Sequence, residues 1–126
     1  MARILIIDDC LSVRITLDYC LRAAGHEIVL AENASAGMRR ATEGGVDLVL
    51  ADVNMPGMDG VAMCWAMRDV PSLREIPILL MTGCPTQETL GRARAAGARA
   101  VLSKPFEMDE LVKALRSHLP AGIAQS

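Results

Sequence analysis

Four short apolar runs in this chain each end at a polar residue that can bind a ligand or take part in a reaction. These residues are three carboxylates, one hydroxyl and one amine, namely Asp8, Asp9, Asp52, Thr82 and Lys104. If the runs are parallel strands, their carboxyl ends lie at one edge of a sheet, where open α/β sheets bind ligands in a crevice. The pattern therefore predicts that residues spread along most of the chain meet in one site.

The apolar runs alternate with segments of helical periodicity, and this alternation predicts the fold. The predicted strands are residues 4–7, 27–31, 46–51, 76–81 and 99–102, and one predicted helix follows each of them. Strict alternation predicts a parallel sheet with helices on both faces. The flavodoxin-like (βα)5 strand order 2-1-3-4-5 fits the size of the chain. That order puts the first and third strands side by side, so Asp8, Asp9 and Asp52 are expected to converge.

Length and composition favour one domain with an ample apolar core. The chain has 126 residues, of which 52% are hydrophobic. We expect residues 1–120 to form this domain and residues 121–126 to be a flexible tail. The net charge of −2 and the absence of a basic run argue against direct binding of nucleic acid.

The lack of a recognisable targeting segment and the cysteine pattern predict a cytoplasmic protein. No apolar stretch approaches the roughly 18 residues that a membrane span needs, and the amino terminus does not resemble a signal peptide. The cysteines form no C-x-x-C pair and have no histidine at ligand spacing. We therefore expect reduced thiols that behave mainly as small buried apolar groups. Cys10, beside the acid pair, and Cys84, two residues after Thr82, are the candidates for reactivity.

Three carboxylates held close together must share a proton or bind a divalent cation, because their charges repel. Oxygen ligands without paired cysteines or histidines favour Mg²⁺ or Mn²⁺ over Zn²⁺. Magnesium usually takes one or two carboxylates together with phosphate oxygens, so the cluster is expected to be completed by a phosphoryl group. An aspartate in such a site can attack phosphorus and form an acyl phosphate. A lysine and a hydroxyl nearby can then stabilise the phosphoryl oxygens.

Four segments of the chain resemble the response-regulator receiver domains of the CheY-like kind, and together they extend the resemblance over residues 3–119. The segments are Ile-Ile-Asp8-Asp9, Asp52-Val-Asn-Met-Pro56-Gly-Met-Asp59-Gly60, Met81-Thr82-Gly83 and Lys104-Pro105-Phe106. Each segment alone is a weak signal. All four in this order, each after a predicted strand, are highly specific.

The resemblance implies a signalling switch rather than an enzyme with an external substrate. Asp52 would accept a phosphoryl group from a sensor histidine kinase, a phosphotransfer protein or acetyl phosphate. Asp9, Asp52 and the backbone carbonyl of Asn54 would bind Mg²⁺, and Asp8 would act through a metal-bound water. Lys104 would pair with the acyl phosphate.

The resemblance also implies how the signal leaves the site. Thr82 would shift toward the phosphoryl group, and a downstream protein would bind the face formed by the fourth helix, fifth strand and fifth helix. The peptide bond between Lys104 and Pro105 would be cis. Dimerisation on phosphorylation stays open.

Two positions depart from the usual receiver pattern. Val101 stands where receivers usually carry Tyr or Phe, so the common coupling between the switch hydroxyl and an aromatic ring cannot operate in its usual form. Cys84, two residues after Thr82, borders the expected path of the attacking water, and the lifetime of the phosphate is unpredictable from it.

The same residues also admit other interpretations. A degenerate receiver that only docks is an alternative because of Val101. An aspartyl-phosphate hydrolase would need a second Asp at position 54, where this chain has Asn54, and an FMN carrier would need a phosphate-binding loop after the first strand. Asp59 is expected to be a turn or cap residue. We expect a solvated face at Arg92, Arg94 and Arg99. The alternative is that these arginines take part in docking a partner protein.

Overall fold

The computed structural model describes residues 2–119 and shows a five-stranded parallel sheet between two layers of helices. The elements in chain order are β1 Arg3–Ile7, α1 Leu11–Ala23, β2 Glu27–Ala31, α2 Ala34–Thr42, β3 Leu48–Asp52, α3 Gly60–Arg68, β4 Ile78–Thr82, α4 Gln87–Ala95, β5 Ala100–Ser103 and α5 Met108–His118. The strand order is β2-β1-β3-β4-β5, and every neighbouring pair is parallel. The predicted flavodoxin-like topology is therefore confirmed. The proposed tail, residues 121–126, lies outside the described residues.

The strands alternate their side chains between two apolar layers, as the two-residue period of a strand requires. In β1, Leu5 and Ile7 pack into the layer under α2, α3 and α4, whereas Ile4 and Ile6 pack into the layer under α1 and α5. Because both faces are covered, β1, β3 and β4 are apolar except at Arg3, Asp52 and Thr82, which stand at their ends. Their carboxyl ends consequently form the edge where polar residues can emerge.

Strands β3 and β4 begin and end later than the sequence predicts, and both shifts place functional residues inside the ladder, whereas the limits of β1 and β5 differ from the prediction by no more than one residue. The third and fourth strands begin at Leu48 and Ile78 rather than two residues earlier, and they end at Asp52 and Thr82. Pro77 has no amide hydrogen to donate and serves only as the acceptor for Val49. As last residues of central strands, Asp52 and Thr82 have backbones that the sheet holds in place.

Polar side chains cap the first turns of α2 and α3. The side chain of Asn33 accepts a hydrogen bond from the amide of Ala36 and caps α2. Asp59 caps α3 in the same way through the amide of Ala62, at 2.8 Å. The expectation that Asp59 is a cap residue is confirmed.

Candidate functional site

The acidic cluster predicted from the sequence forms at the carboxyl edge of the sheet. Asp8, Asp9 and Asp52 each offer a carboxylate oxygen, and these oxygens lie within 4.8 Å of one another. Asp8 is fully buried, Asp52 is nearly buried and Asp9 is exposed. The register explains the convergence, because Ile7 of β1 lies opposite Ala51 of β3 and each precedes its acid by one residue.

Two hydrogen bonds fix the buried carboxylate of Asp8, one on each oxygen. The amide of Cys10 donates to its Oδ1 at 2.9 Å, and Nζ of Lys104 donates to its Oδ2 at 3.2 Å. Arg14 also donates to the backbone carbonyl of Asp8, at 2.6 Å. A buried charge is tolerated only when it is paired and hydrogen-bonded, and Asp8 meets both conditions.

Lys104 joins the two buried acids. Its Nζ lies 3.2 Å from Oδ2 of Asp8 and 3.6 Å from Oδ1 of Asp52. Its backbone amide donates to the carbonyl of Thr82 at 2.7 Å, which extends the β4–β5 pairing by one residue. The bond between Lys104 and Pro105 is cis, as the resemblance implies.

Burial raises the pKa of Asp52 above its ordinary value. The ammonium of Lys104 opposes this rise, and the negative charge of Asp8 adds to it. A cation beside Asp52 would relieve this repulsion. A carboxyl with a raised pKa beside charged partners at a sheet edge is typical of functional sites.

The segment between β3 and α3 is tied closely to Asp52. The amide of Asn54 approaches Oδ1 of Asp52 at 3.4 Å, and the amide of Gly60 donates to the carbonyl of Val53 at 2.9 Å. Gly60 also lies against the carbonyl of Asp52, where a Cβ atom would overlap the oxygen. Glycine is therefore required here for close packing rather than for a special backbone angle.

The expected switch and rate-tuning residues lie on or next to β4 and β5, namely Thr82, Cys84 and Val101. Thr82 is buried, and its Oγ1 accepts a hydrogen bond from the amide of Cys84 at 3.0 Å. Cys84 itself is exposed, and Val101 is half-buried on β5 and packs against the layer under α4. The roles assigned to these three residues from the resemblance stay predictions.

The expectation that the cysteines are buried is wrong for Cys10 and Cys84. Cys64 is buried, Cys20 is half-buried, and Cys10 and Cys84 are exposed. Cys10 and Cys84 occupy loops at the carboxyl edge, where the site needs solvent access. Burial raises the pKa of the Cys64 thiol to about 12.

Sequence reasoning missed one polar contact near the site. Nη2 of Arg92 on α4 donates to Oδ2 of Asp59 at 3.1 Å, although the two residues are 33 positions apart. Arg92 is therefore not simply part of a solvated face. No local pattern reveals this pair, because only the packing of α4 beside α3 brings the two side chains together.

Comparisons with known proteins agree with this geometry. A family model described as the response regulator receiver domain matches residues 4–116. The chain belongs to the response regulator receiver family. It is 30% identical over 118 residues to the sporulation initiation phosphotransferase F of Bacillus subtilis, and the match covers 94% of each chain. The chain also spans about half the length of the Mycobacterium tuberculosis transcriptional regulatory protein PrrA, which is 32% identical over 117 residues.

Solved structures of receivers share the fold throughout. The Vibrio cholerae chemotaxis protein CheY4 superposes with a TM-score of 0.90 at 33% identity, covering 94% of this chain and 99% of that chain. The Thermotoga maritima response regulator TrrA, solved in complex with Mg²⁺ and BeF, superposes with a TM-score of 0.83 at 30% identity, covering 93% and 98%. Receiver domains of two-component systems are phosphorylation-based signalling switches, and this chain has their fold. No helix within residues 2–119 combines the length and apolar character that crossing a membrane requires.

The donor set of this receiver fits a divalent cation. Three carboxylates share one edge, and hard oxygen ligands of this kind suit Mg²⁺ or Mn²⁺. Asp8 already uses both oxygens in hydrogen bonds, whereas Asp9 is exposed. The roles that the resemblance implies, with Asp9 and Asp52 as direct ligands and Asp8 acting through water, stay predictions.

Proposed function

We propose that this chain is an Mg²⁺-dependent phosphoacceptor, in which phosphorylation of Asp52 changes the affinity for a downstream protein. The observation that carries the proposal is the meeting of three carboxylates within 4.8 Å, with Lys104 bridging the two buried ones. A purely structural role would not explain why a sheet edge concentrates this much negative charge. The donor is the phosphohistidine of a sensor histidine kinase or of a phosphotransfer protein, in the cytoplasm.

Asp52 is the nucleophile. One of its carboxylate oxygens attacks phosphorus, the bond from phosphorus to the donor nitrogen breaks, and its electron pair stays on the imidazole, which then takes up a proton. Asp52 is close to the surface with 7% exposure, so a phosphoryl group on it can reach both solvent and Lys104. Lys104 favours the ionised, attacking form of Asp52 and then pairs with the phosphoryl oxygens.

Asp9, Asp52 and the backbone carbonyl of Asn54 would hold Mg²⁺ or Mn²⁺, and Asp8 would hold a metal-bound water. The bound ion would supply positive charge that neutralises the carboxylates and the transferred group. The chain's own residues orient the site, because the amide of Cys10 and Nζ of Lys104 hold Asp8 while the sheet holds Asp52.

Thr82 connects the site to the surface that meets the downstream protein. It ends β4, and its hydroxyl holds the amide of Cys84 at the start of the connection to α4. When Thr82 turns toward the phosphoryl group, this connection loses its acceptor and the face formed by α4, β5 and α5 changes. Val101 on that face is smaller than the usual aromatic residue, so the change passes mainly through α4.

The test is incubation with acetyl phosphate and Mg²⁺ followed by intact mass measurement. The wild-type chain should gain the mass of one phosphoryl group, and borohydride reduction followed by peptide mapping should place it on Asp52. Asp52→Asn should gain none. Asp69→Asn is the matched control, because Asp69 is an exposed acid at the end of α3, and it should behave as wild type.

The same samples separate the alternatives. A chain that binds no phosphoryl group and shows no amide shifts with Mg²⁺ and beryllofluoride would be a docking-only receiver. Labelling at a residue other than Asp52 would contradict the proposed mechanism. Native mass measured before and after phosphorylation reports whether the chain dimerises.

A further inference from the structure

Helix α4 is attached to the rest of the domain by few apolar contacts. Of its nine residues Gln87–Ala95, all within the part of the chain that the structure describes, Ala93 alone is buried. Gly91, near its middle, faces open space and lowers helix propensity. Helix α3, by contrast, buries Gly60, Val61, Met63, Cys64 and Met67. Elements with little buried apolar surface are the ones that move at low cost.

Two arginine contacts join α4 to α3. Nη1 of Arg68, in the last turn of α3, donates to the carbonyl of Ala95 at 3.0 Å. Nη2 of Arg92, on α4, donates to Oδ2 of Asp59, the cap of α3, at 3.1 Å. The second contact is an ion pair between α4 and the cap residue of α3.

Asp59 has a fixed position relative to Asp52. Gly60, the next residue, hydrogen-bonds to Val53 and packs against the carbonyl of Asp52. Oδ1 of Asp59 is held by the amide of Ala62 at 2.8 Å, which leaves Oδ2 for Arg92. The ion pair therefore connects α4 to the backbone of Asp52 through Asp59 and Gly60.

The pair carries full charge under ordinary conditions. Partial burial of Asp59 tends to raise its pKa, but the amide of Ala62 and the guanidinium of Arg92 outweigh this and lower it. Both side chains are partly exposed, at 33% for Asp59 and 48% for Arg92. An exposed pair of this kind is weak enough to break and re-form reversibly, which suits a switch.

We propose that the Asp59–Arg92 ion pair holds α4 in the arrangement of the unphosphorylated domain and opens when Asp52 carries a phosphoryl group. This inference rests on the proposed function, and it identifies a path for the signal in a chain whose β5 carries Val101 in place of an aromatic ring. Turning Thr82 toward the phosphoryl group removes the acceptor of the Cys84 amide, so the chain leading into α4 moves and carries Arg92 away from Asp59.

Thermodynamic reciprocity makes the proposal measurable at the phosphoryl site. If phosphorylation weakens the ion pair, the ion pair must weaken binding of a phosphoryl mimic by the same factor. Removing either partner should therefore tighten binding of beryllofluoride, formed from BeCl2 and NaF with MgCl2. An exposed pair predicts a gain of roughly two- to fivefold.

The experiment measures beryllofluoride affinity by amide NMR titration of the whole chain, in wild type, Asp59→Asn and Arg92→Gln. Asn keeps the helix cap, because it accepts the amide of Ala62 as well as Asp does. The two substitutions change the net charge in opposite directions. Simple long-range electrostatics would therefore move the affinities for the anionic mimic in opposite directions, whereas loss of the ion pair tightens both.

Arg94→Gln is the matched control, because Arg94 is exposed on the same helix and its substitution removes the same charge. Arg94→Gln should leave the beryllofluoride affinity equal to that of wild type within error. In the Asp59→Asn/Arg92→Gln double variant, the gain in affinity should equal that of either single variant rather than the product of the two gains. Hydrogen exchange of the amides of residues 90–96 should also become faster in both single variants.

If the beryllofluoride affinities of Asp59→Asn and Arg92→Gln are unchanged, or move in opposite directions, this inference is overturned, even if the amide hydrogens of α4 exchange faster. A wild-type chain that binds no beryllofluoride overturns the proposed function instead. Folding of each variant is checked by the dispersion of its amide spectrum before titration.

Discussion

Lys104 and Asp8, which are 96 positions apart in the chain, form an ion pair of 3.2 Å at the carboxyl edge of the sheet. Asp8 is fully buried, whereas the side chain of Lys104 is 27% exposed. The pair therefore serves two purposes. It compensates a buried charge that would otherwise oppose folding, and it holds the ammonium group beside Asp52.

Replacement of Lys104 by Met keeps the apolar stem of the side chain and removes its charge. We expect the variant to destabilise the domain, because Asp8 loses its cationic partner. We expect a loss of about 1–3 kcal/mol in the free energy of unfolding, measured by urea denaturation in EDTA. Lys113→Met is the control, since Lys113 is exposed on α5, and its effect should stay within about 0.5 kcal/mol. Equal stabilities of the two variants would contradict the assigned role of the Asp8 pair.

Asp52→Asn is expected to stabilise the domain at neutral pH in the absence of divalent cations. The folded-state pKa of Asp52 is raised by burial, so the stability associated with its protonation is fully present below the ordinary pKa near 3.8 and is lost as pH rises through the raised value. The neutral amide avoids this loss. The advantage of the variant should therefore shrink as pH falls toward 3.8, as measured by urea denaturation across pH in EDTA.

A variant that is less stable than wild type at pH 7 would show that attraction to Lys104 outweighs burial at Asp52. Asp69→Asn provides the reference for the general effect of losing one exposed acid. Its stability relative to wild type should change little across the same range.

Two glycine substitutions are expected to have opposite effects on stability. Gly60→Ala places a Cβ against the backbone carbonyl of Asp52, which cannot move without distorting β3, so we expect a loss of about 2 kcal/mol or more. Gly91→Ala adds its Cβ in open space on α4, and we expect a gain of up to about 1 kcal/mol. Chemical denaturation measures both, and a stable Gly60→Ala chain would contradict the close approach of α3 to Asp52.

Thiol reactivity should follow exposure. Cys10 and Cys84 are exposed and should react with a small disulfide reagent in the folded domain, whereas Cys64 is buried with its pKa raised to about 12. Peptide mapping after brief labelling should find Cys64 unmodified until the chain is unfolded in urea. Early modification of Cys64 would show that α3 opens locally.

The sequence predicted the topology and the convergence of the acids because both follow from periodicity. Alternating strands and helices leave few arrangements, and residues at the ends of parallel strands must share an edge. The strand limits at Leu48 and Ile78 were harder to predict, because hydrogen-bond pairing between strands decides them and Pro77 breaks it locally. The general expectation of buried cysteines fails at Cys10 and Cys84, the two that lie near the acids and Thr82, because apolar character does not say which loop residues face solvent.

Contacts between helices were invisible in the sequence. The local position of Asp59 predicts its role as a cap, but its second oxygen meets Arg92 only because α3 and α4 lie side by side. Long flexible side chains choose partners by tertiary packing, which no short-range pattern encodes.

If Asp8, Asp9 and Asp52 surround one divalent cation, paramagnetic Mn²⁺ bound there will broaden the amide signals nearest to it. We expect selective broadening at residues 8–10 and 52–54, reversed by excess Mg²⁺ and greatly weakened in Asp9→Asn. Broadening centred on another acidic group, such as Glu107 and Glu110 at the start of α5, or none at millimolar Mn²⁺, would contradict it.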